Sequence, residues 1–131
     1  MEDCPKLSEA LGGPRILIKR DDLTGLAFGG NKARHLEFRI ADAVAKRCNV
    51  FINENLWVSN NARIVATTCA KAGIKCIFVV RGGKGKPLQG NLLVDHLLGA
   101  ELHLMDSKDP EEADVYSRDL AEKLKKKGYT P

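Results

Sequence analysis

The chain contains 131 residues, of which 44% are hydrophobic and 29% are charged, and this is the composition of an ordinary globular domain. No segment approaches the roughly 20 consecutive apolar residues that a transmembrane helix requires, so the sequence predicts no membrane association. The 21 basic and 17 acidic residues leave a formal charge of only +4 and are interleaved along the chain, which argues against a nucleic-acid partner.

Cysteine and histidine spacing predicts neither a metal site nor a disulfide framework. None of the four cysteines forms a Cys-X-X-Cys pair, and the three histidines complete no zinc-binding pattern. The start of the chain, Met1–Pro5, lacks the basic and then apolar segments of a secretory signal. We therefore expect reduced thiols and a cytoplasmic location. Cys69 and Cys76 fall on faces predicted to be buried, where packing is their expected role.

Short β-branched runs alternate with helical periods along the chain, and this pattern predicts parallel strands joined by crossover helices. A strand is predicted at 15–19. A helix is predicted at 31–47, because apolar residues recur there at steps of three and four. A short strand at 50–52 then precedes a helix at 59–72, which Gly73 ends.

The second half of the chain continues the alternation. A nearly all-apolar strand is predicted at 75–80, as expected when both faces of a strand are covered. A helix at 89–98 and a strand at 101–105 follow. The last helix is predicted to start at Asp109, an N-cap residue that is followed by proline, and to run to about Lys127. The predicted fold class is α/β, a three-layer lobe with a parallel sheet flanked by helices.

Two polar helix starts are candidate ligand sites, because ligands of parallel sheets collect where strands end and the next helices begin. At the first, Gly29 and Gly30 allow a close backbone approach, and Lys32 lies in the first helical turn. A lysine at this position opposes the helix dipole at a cost of a few tenths of a kcal/mol, roughly. The same positive end favours the neutral amine, which is the nucleophile in Schiff-base chemistry. A solvated surface lysine remains the alternative.

The second polar start is Ser59–Asn60–Asn61. Capping of the helix explains one of these three hydroxyl and amide side chains. The two others suggest a polar ligand such as a carboxylate or a phenolic oxygen, which amides and hydroxyls can bind without adding charge. Capping alone and ligand binding both remain open.

A glycine-rich segment at 82–87 superficially resembles a phosphate-binding loop. A phosphate-binding loop of that kind requires Ser or Thr directly after Gly-Lys at a helix start, and Pro87 occupies that position here. We therefore predict a flexible surface loop.

The sequence RDDLTGLAFGGNKAR at residues 20–34, followed by LEF at 36–38, resembles the signature of the 1-aminocyclopropane-1-carboxylate deaminase and D-cysteine desulfhydrase family. Further segments match the family in order and spacing, so that the resemblance covers nearly the whole chain. They are Ser59–Asn60–Asn61–Ala62–Arg63, Gly73–Ile74–Lys75–Cys76, Gln89–Gly90–Asn91–Leu92–Leu93 and Leu98–Gly99–Ala100–Glu101. The resemblance implies the two-lobe tryptophan-synthase-β-like fold and pyridoxal phosphate as cofactor.

The resemblance also implies roles for individual residues. Lys32 would carry the cofactor as a Schiff base and act as the base at the substrate Cα. Asn60 would bond the cofactor's phenolic oxygen, and Ser59 would meet the substrate carboxylate. The implied site consists of catalytic Lys32 and Ser59, of Asn31, Lys32, His35 and Asn60 for the cofactor, and of Ser59, Asn60 and Asn61 for the substrate.

At the level of domains, the resemblance implies that residues 1–25 form a lead-in segment with the first strand. Residues 26–131 would form the small α/β lobe that carries the Schiff-base lysine, with the second lobe absent. The chain would then be a fragment of an amino-acid lyase, deaminase or hydrolase, whose full-length form is a homodimer. The reaction would convert D-cysteine to pyruvate, ammonia and sulfide, or 1-aminocyclopropane-1-carboxylate to 2-oxobutanoate and ammonia. The alternative is a non-catalytic truncated lobe that serves as a binding or interaction domain.

Overall fold

Five strands and five α-helices make up the chain, which a computed structural model describes over residues 1–131. The strands are β1 (Glu2–Asp3), β2 (Leu17–Ile18), β3 (Val50–Leu56), β4 (Lys75–Arg81) and β5 (Glu101–Leu104). The helices are α1 (Pro5–Ala10), α2 (Lys32–Ala45), α3 (Asn60–Ala72), α4 (Gly90–Leu97) and α5 (Pro110–Lys126). No helix combines the length and the apolar character that a membrane span requires.

The central sheet is parallel and has the order β3-β4-β5. Its register pairs Val50 with Lys75 and Ile77 with Glu101. β4 is the middle strand, and Phe78 and Val79 within it are completely buried. Complete burial of an aliphatic or aromatic side chain contributes about 2 kcal/mol, so this strand supplies much of the core. The predicted parallel sheet flanked by helices is confirmed.

Helices cover both faces of the sheet and give the three layers that the sequence predicts. Side chains alternate between the two faces along β4. Phe78 and Val80 join the main core, which they share with buried residues of α2, α3 and α4. On the opposite face, Ile77 packs with Val50 and with Leu124 of α5. Cys69 and Cys76 lie in the main core and are free thiols, and their predicted burial is confirmed.

The predicted helix ends at α3 and α5 are also confirmed. The Ser59 hydroxyl oxygen accepts a hydrogen bond from the Ala62 amide at 3.4 Å, and Gly73 ends α3 in the left-handed conformation at φ +68°. Asp109 caps α5, because its carboxylate accepts from the Glu111 amide at 2.9 Å.

The predicted first strand, at 15–19, is wrong as a member of the parallel sheet. Only Leu17 and Ile18 are extended, and they pair antiparallel with Asp3 and Glu2 in a separate two-stranded sheet. Both apolar side chains stay more than 40% exposed, whereas a strand of the parallel sheet is covered on both faces. The short helix α1 joins the two strands and was not predicted.

Two other expectations needed correction. β3 continues past residue 52 to Leu56, because Asn53 and Asn55 lie buried within the strand although both are polar. The loop at 82–87 is not simply a flexible surface loop. Gly82 and Gly83 are buried, and the Gly82 amide donates to the Ser107 carbonyl oxygen at 2.8 Å.

Candidate functional site

The turn that precedes α2 has an unusual backbone. Four consecutive residues, at 27–30, have positive φ, from +48° at Ala27 to +126° at Gly30. Ala27 and Phe28 carry side chains, and a left-handed conformation costs each of them roughly 1–2 kcal/mol. Lys32 follows this turn, is exposed, and has no hydrogen-bond partner at its amine. The strained turn is therefore followed by a lysine whose amine has no partner. Contacts between the turn and the rest of the protein must hold the turn in its strained conformation.

Asp21 is the main anchor of this turn. Its carbonyl oxygen accepts from the Gly30 amide at 2.8 Å and from the Thr24 hydroxyl at 2.9 Å. Its carboxylate accepts from the Arg34 guanidinium, with Nη2 at 2.8 Å. The hydrogen bond from Arg34 lowers the pKa of the Asp21 carboxyl below its usual value. Arg34 lies two residues after Lys32, so Asp21 ties both sides of the lysine to one point.

The same turn contacts the first turn of α3. Arg63 donates from Nη2 to the Gly29 carbonyl oxygen at 3.4 Å, and its guanidinium carbon lies 5.4 Å from the centre of the Phe28 ring. A Cβ on Gly30 would lie 3.6 Å from Ile64 Cδ1, which leaves ordinary van der Waals space and no more. The structure therefore brings together the two polar helix starts that the sequence singles out.

The start of α3 offers polar groups beyond the single cap. Ser59 is the cap, and because its oxygen accepts the Ala62 amide, its O–H proton stays available to a ligand. Asn60 is exposed, and its Oδ1 accepts from Asn91 Nδ2 at 2.9 Å. Asn61 Oδ1 is buried and has no partner.

Asn31 and His35, the other candidate residues, lie at the same helix start as Lys32. Asn31 occupies the N-cap position of α2, and its side chain makes no capping bond. Nδ1 of His35 lies 3.0 Å from the carbonyl oxygen of Lys32, and the imidazole is exposed. The Asn31 side chain and the Nε2 atom of His35 are thus free to meet a ligand at this end of α2.

A cavity of about 300 Å³ opens at the residues just before Ser59, which does not itself line the cavity. It is lined by Trp57, Val58, Gln89, Gly90 and Asn91, where α4 begins next to the end of β3. The Lys86 amine lies 5.5 Å from the centre of the Trp57 ring, a cation–π distance. The volume suits a small molecule with both apolar and polar parts.

A buried carboxyl lies behind the site. Asp95 of α4 is 2% exposed, and its Oδ1 has no hydrogen-bond partner. Burial raises the pKa of Asp95 to about 7, against the opposing charge of Arg63. Arg63 Nε is also buried and unpartnered.

Three contributors to the site, Asp21, Arg63 and Asn91, were not among the candidates from the sequence. Each lies within a motif that carries the resemblance, but none has reactive chemistry of its own. Their contribution comes from contacts between elements distant in the chain, such as the 34-residue separation between Arg63 and Gly29. The one signal in the sequence is that each of the three is a charged or amide residue inside a motif that carries the resemblance.

The structure combines a parallel α/β lobe, a lysine at one helix start and a Ser-Asn pair at a second, neighbouring one. These features together indicate the class of protein. The fold is that of tryptophan-synthase-β-like proteins, and a solved structure described as an ACC deaminase homologue superposes on 99% of this chain with a TM-score of 0.83 and 39% identity. The family model "Pyridoxal-phosphate dependent enzyme" matches residues 1–131. The chain therefore belongs to the family of pyridoxal-phosphate-dependent enzymes.

Curated relatives show the same family at the level of sequence. A putative 1-aminocyclopropane-1-carboxylate deaminase of Pyrococcus horikoshii is 40% identical over 97% of this chain. A D-cysteine desulfhydrase of Salmonella paratyphi B is 33% identical over 100% of it. The chain spans 38% and 40% of the length of these two proteins. Their names describe a deaminase and a desulfhydrase, so the wider term hydrolase is not supported.

The residues present fit pyridoxal phosphate, the cofactor of the family. The aldehyde of the cofactor needs an amine without other partners, and Lys32 offers one. The phenolic oxygen needs a hydrogen-bond donor, and Asn60 Nδ2 can provide it because only Oδ1 of Asn60 is engaged. Gly29 and Gly30 have no side chains, so the turn directly before the lysine stays open, and glycine readily adopts the positive φ values found there.

Proposed function

We propose that this chain provides the lysine-bearing lobe of an enzyme that acts on a small amino acid, with Lys32 as the residue that binds pyridoxal phosphate covalently. The contact between the Gly29–Gly30 turn and the first turn of α3 supports this proposal, because it joins the backbone just before Lys32 to the helix start that carries the Ser-Asn pair. Family membership of the whole chain supports the choice of cofactor.

Each candidate residue then has a defined task. The cofactor supplies an electron sink for the bond that breaks at the substrate Cα. Lys32 would hold the cofactor covalently until the substrate amine takes its place. Its freed amine would then take the Cα proton of D-cysteine, whereas 1-aminocyclopropane-1-carboxylate carries no proton at Cα and would need a base at a ring carbon. Asn60 would donate a hydrogen bond from Nδ2 to the phenolic oxygen, and the Ser59 hydroxyl would donate a hydrogen bond to the substrate carboxylate. Asn31 and His35 complete the cofactor side at the start of α2, and Asn61 completes the substrate side.

The names of the relatives define two candidate reactions. One would convert 1-aminocyclopropane-1-carboxylate and water to 2-oxobutanoate and ammonia. The other would convert D-cysteine and water to pyruvate, ammonia and sulfide. Identities of 40% and 33% support the family and leave both substrates in the proposal.

The division of the chain also belongs to this proposal. Residues 1–25 act as a lead-in segment, since β1 and β2 pair only with each other. Residues 26–131 act as the small lobe that works with a second lobe. Exposed Phe28 and Phe38, each more than three-quarters accessible, support apolar contacts with further protein, including a second subunit of a homodimer. Four free cysteines support a reducing, cytoplasmic setting.

Covalent labelling tests the proposal directly. Incubation with pyridoxal phosphate, reduction with borohydride and peptide mapping should place the label mainly on Lys32, and Lys32→Ala should remove it. Lys71→Ala is the matched control, because Lys71 is an exposed lysine in the last turn of α3 whose amine also has no partner. Label spread evenly over surface lysines, or unchanged in Lys32→Ala, would contradict the proposal.

A second candidate function is a non-catalytic binding lobe. The exposure of Lys32 and Asn60 favours it for this chain alone, because an open site holds a small molecule less firmly than a closed one. Labelling at Lys32 with no turnover, even after the second lobe of a relative is supplied, is the result that this candidate predicts and that the lyase proposal does not.

A further inference from the structure

Asn91 connects α4 to the start of α3 through one amide group. It is the second residue of α4, and its Nδ2 donates to Asn60 Oδ1 at 2.9 Å. The same Nδ2 also donates to the carbonyl oxygen of Val58 at 3.4 Å. Leu92, the next residue, is 1% exposed in the main core and fixes the helix that carries Asn91.

The Val58 contact determines which way the Asn91 amide faces. A backbone carbonyl can only accept a hydrogen bond, so the Asn91 atom that faces it must be the donor Nδ2 and not Oδ1. The two ends of an amide side chain have opposite hydrogen-bonding character. The backbone of Val58 therefore holds Asn91 in one of its two orientations.

The orientation of Asn91 in turn determines the orientation of Asn60. Because Nδ2 of Asn91 points at Asn60, the Asn60 atom that meets it must be the acceptor Oδ1. The two protons on Asn60 Nδ2 remain unengaged, and Asn60 is exposed at the site. Asn60 thus presents a donor to a ligand and not an acceptor.

From these contacts we propose that Asn91 is a positioning residue that fixes Asn60 with its amide donor directed at the phenolic oxygen of the cofactor. The proposal rests on the proposed function. A donor at this oxygen favours its deprotonated form. Reversal of Asn60 would turn Oδ1 toward the phenolic oxygen, and two acceptors facing each other repel.

Two substitutions at one position separate orientation from simple packing. Asn91→Ala releases Asn60 to rotate. Asn91→Asp keeps the shape but replaces the donor by a carboxylate, which attracts Asn60 Nδ2 and reverses the amide. Both substitutions remove the donor bond to the Val58 carbonyl, and only the carboxylate suits the dipole of α4, so a purely structural role predicts that Asn91→Asp is the milder change in stability. Asn49→Asp is the matched control, because Asn49 lies before the amino end of β3 and its acceptor bond to the Thr130 amide survives the change.

The first measurement needs no cofactor. NMR of the isotope-labelled chain measures how fast the protons of the Asn60 side-chain amide exchange with water. This exchange should be fast in the wild type. It should slow about fivefold in Asn91→Asp, the factor expected for one new hydrogen bond of about 1 kcal/mol. It should stay fast in Asn91→Ala and in Asn49→Asp.

The second measurement uses the borohydride-reduced adduct at Lys32, which retains the phenolic oxygen. The midpoint of its absorbance titration should rise by about 0.5–1 pH unit in Asn91→Asp, by less in Asn91→Ala, and not at all in Asn49→Asp. An adduct at Lys32 whose titration and Asn60 exchange are the same in all variants would overturn the role of Asn91 alone. Absence of an adduct at Lys32 would overturn the proposed function and the cofactor part of this inference together.

Discussion

A Cβ atom on Gly29 would lie 2.0 Å from the carbonyl oxygen of Asp22, far inside van der Waals contact. Gly29 also has φ +77°, in the left-handed region that glycine tolerates best. The turn that leads to Lys32 therefore depends on the absence of a side chain at this residue.

We expect Gly29→Ala to lower the free energy of unfolding by at least about 2–3 kcal/mol, because backbone strain and a clash with backbone act together. The same change should reduce pyridoxal phosphate labelling of Lys32. Gly12→Ala is the control, since Gly12 has φ +57° and open space around its Cβ position. Urea unfolding measures both variants, and a cost for Gly29→Ala no larger than for Gly12→Ala would contradict the prediction.

Ser59 should show two separable contributions. Ser59→Ala removes the cap of α3 and should cost about 1 kcal/mol of stability. Ser59→Asp keeps a capping oxygen and places a negative charge at the helix start, so stability should return to the wild-type level or above. The same charge would repel a substrate carboxylate. Thermal unfolding of the three proteins checks the order, and equal losses for both variants would argue against capping.

Asp95 should make stability depend on pH. The unfolded carboxyl loses its proton near pH 4, whereas burial raises the pKa of Asp95 to about 7 in the folded chain. The folded state thus binds more protons between these values, so the contribution of Asp95 to stability falls as pH rises through this range. Asp95→Asn removes the ionisation, and at pH 8 it should raise the free energy of unfolding by on the order of 2 kcal/mol.

Urea unfolding at pH 5 and pH 8 tests this expectation. The gain of Asp95→Asn over the wild type should be larger at pH 8. Asp119→Asn on the exposed surface of α5 serves as control and should change little at either pH. A gain of the same size at both pH values would show that the carboxyl does not titrate in this range.

We expect no turnover from the 131-residue chain alone, even with pyridoxal phosphate present. Lys32 and Asn60 are both exposed, so water would reach a cofactor bound there, and the geometry that positioning requires would not be held. The assays are pyruvate and sulfide release from D-cysteine and 2-oxobutanoate release from 1-aminocyclopropane-1-carboxylate, each against free cofactor. Turnover above that background and lost in Lys32→Ala would show that one lobe is sufficient.

The elements with strong hydrophobic periods could be predicted from the sequence, and the short or polar ones could not. β4 and α3 were correct to within one residue at each end, because an apolar run and a capped amphipathic helix are local signals. The pairing of β1 with β2 escaped because two-residue strands have no period to detect. Polar residues usually indicate the end of a buried strand. Asn53 and Asn55 are polar but buried within β3, so the predicted strand was too short.

The candidate site divides in the same way. Lys32 and Ser59 could be singled out because a lysine at a helix start and a surplus of polar caps are visible in a few consecutive residues. The anchoring of the lysine turn by Asp21 and the orientation of Asn60 by Asn91 depend on tertiary contacts, and no local pattern predicts which two amides will meet.

The two-stranded sheet at the start of the chain has consequences for motion around the amine of Lys32. β1 and β2 pair with nothing else, and their side chains are exposed, so their amide protons should exchange with solvent before those of the parallel sheet. The segment nevertheless leads directly to Asp21, whose carbonyl holds the Gly30 amide. Fraying of the first 20 residues would therefore loosen the turn before Lys32 while the core stays folded, so that the two-stranded sheet helps to hold the proposed nucleophile in place.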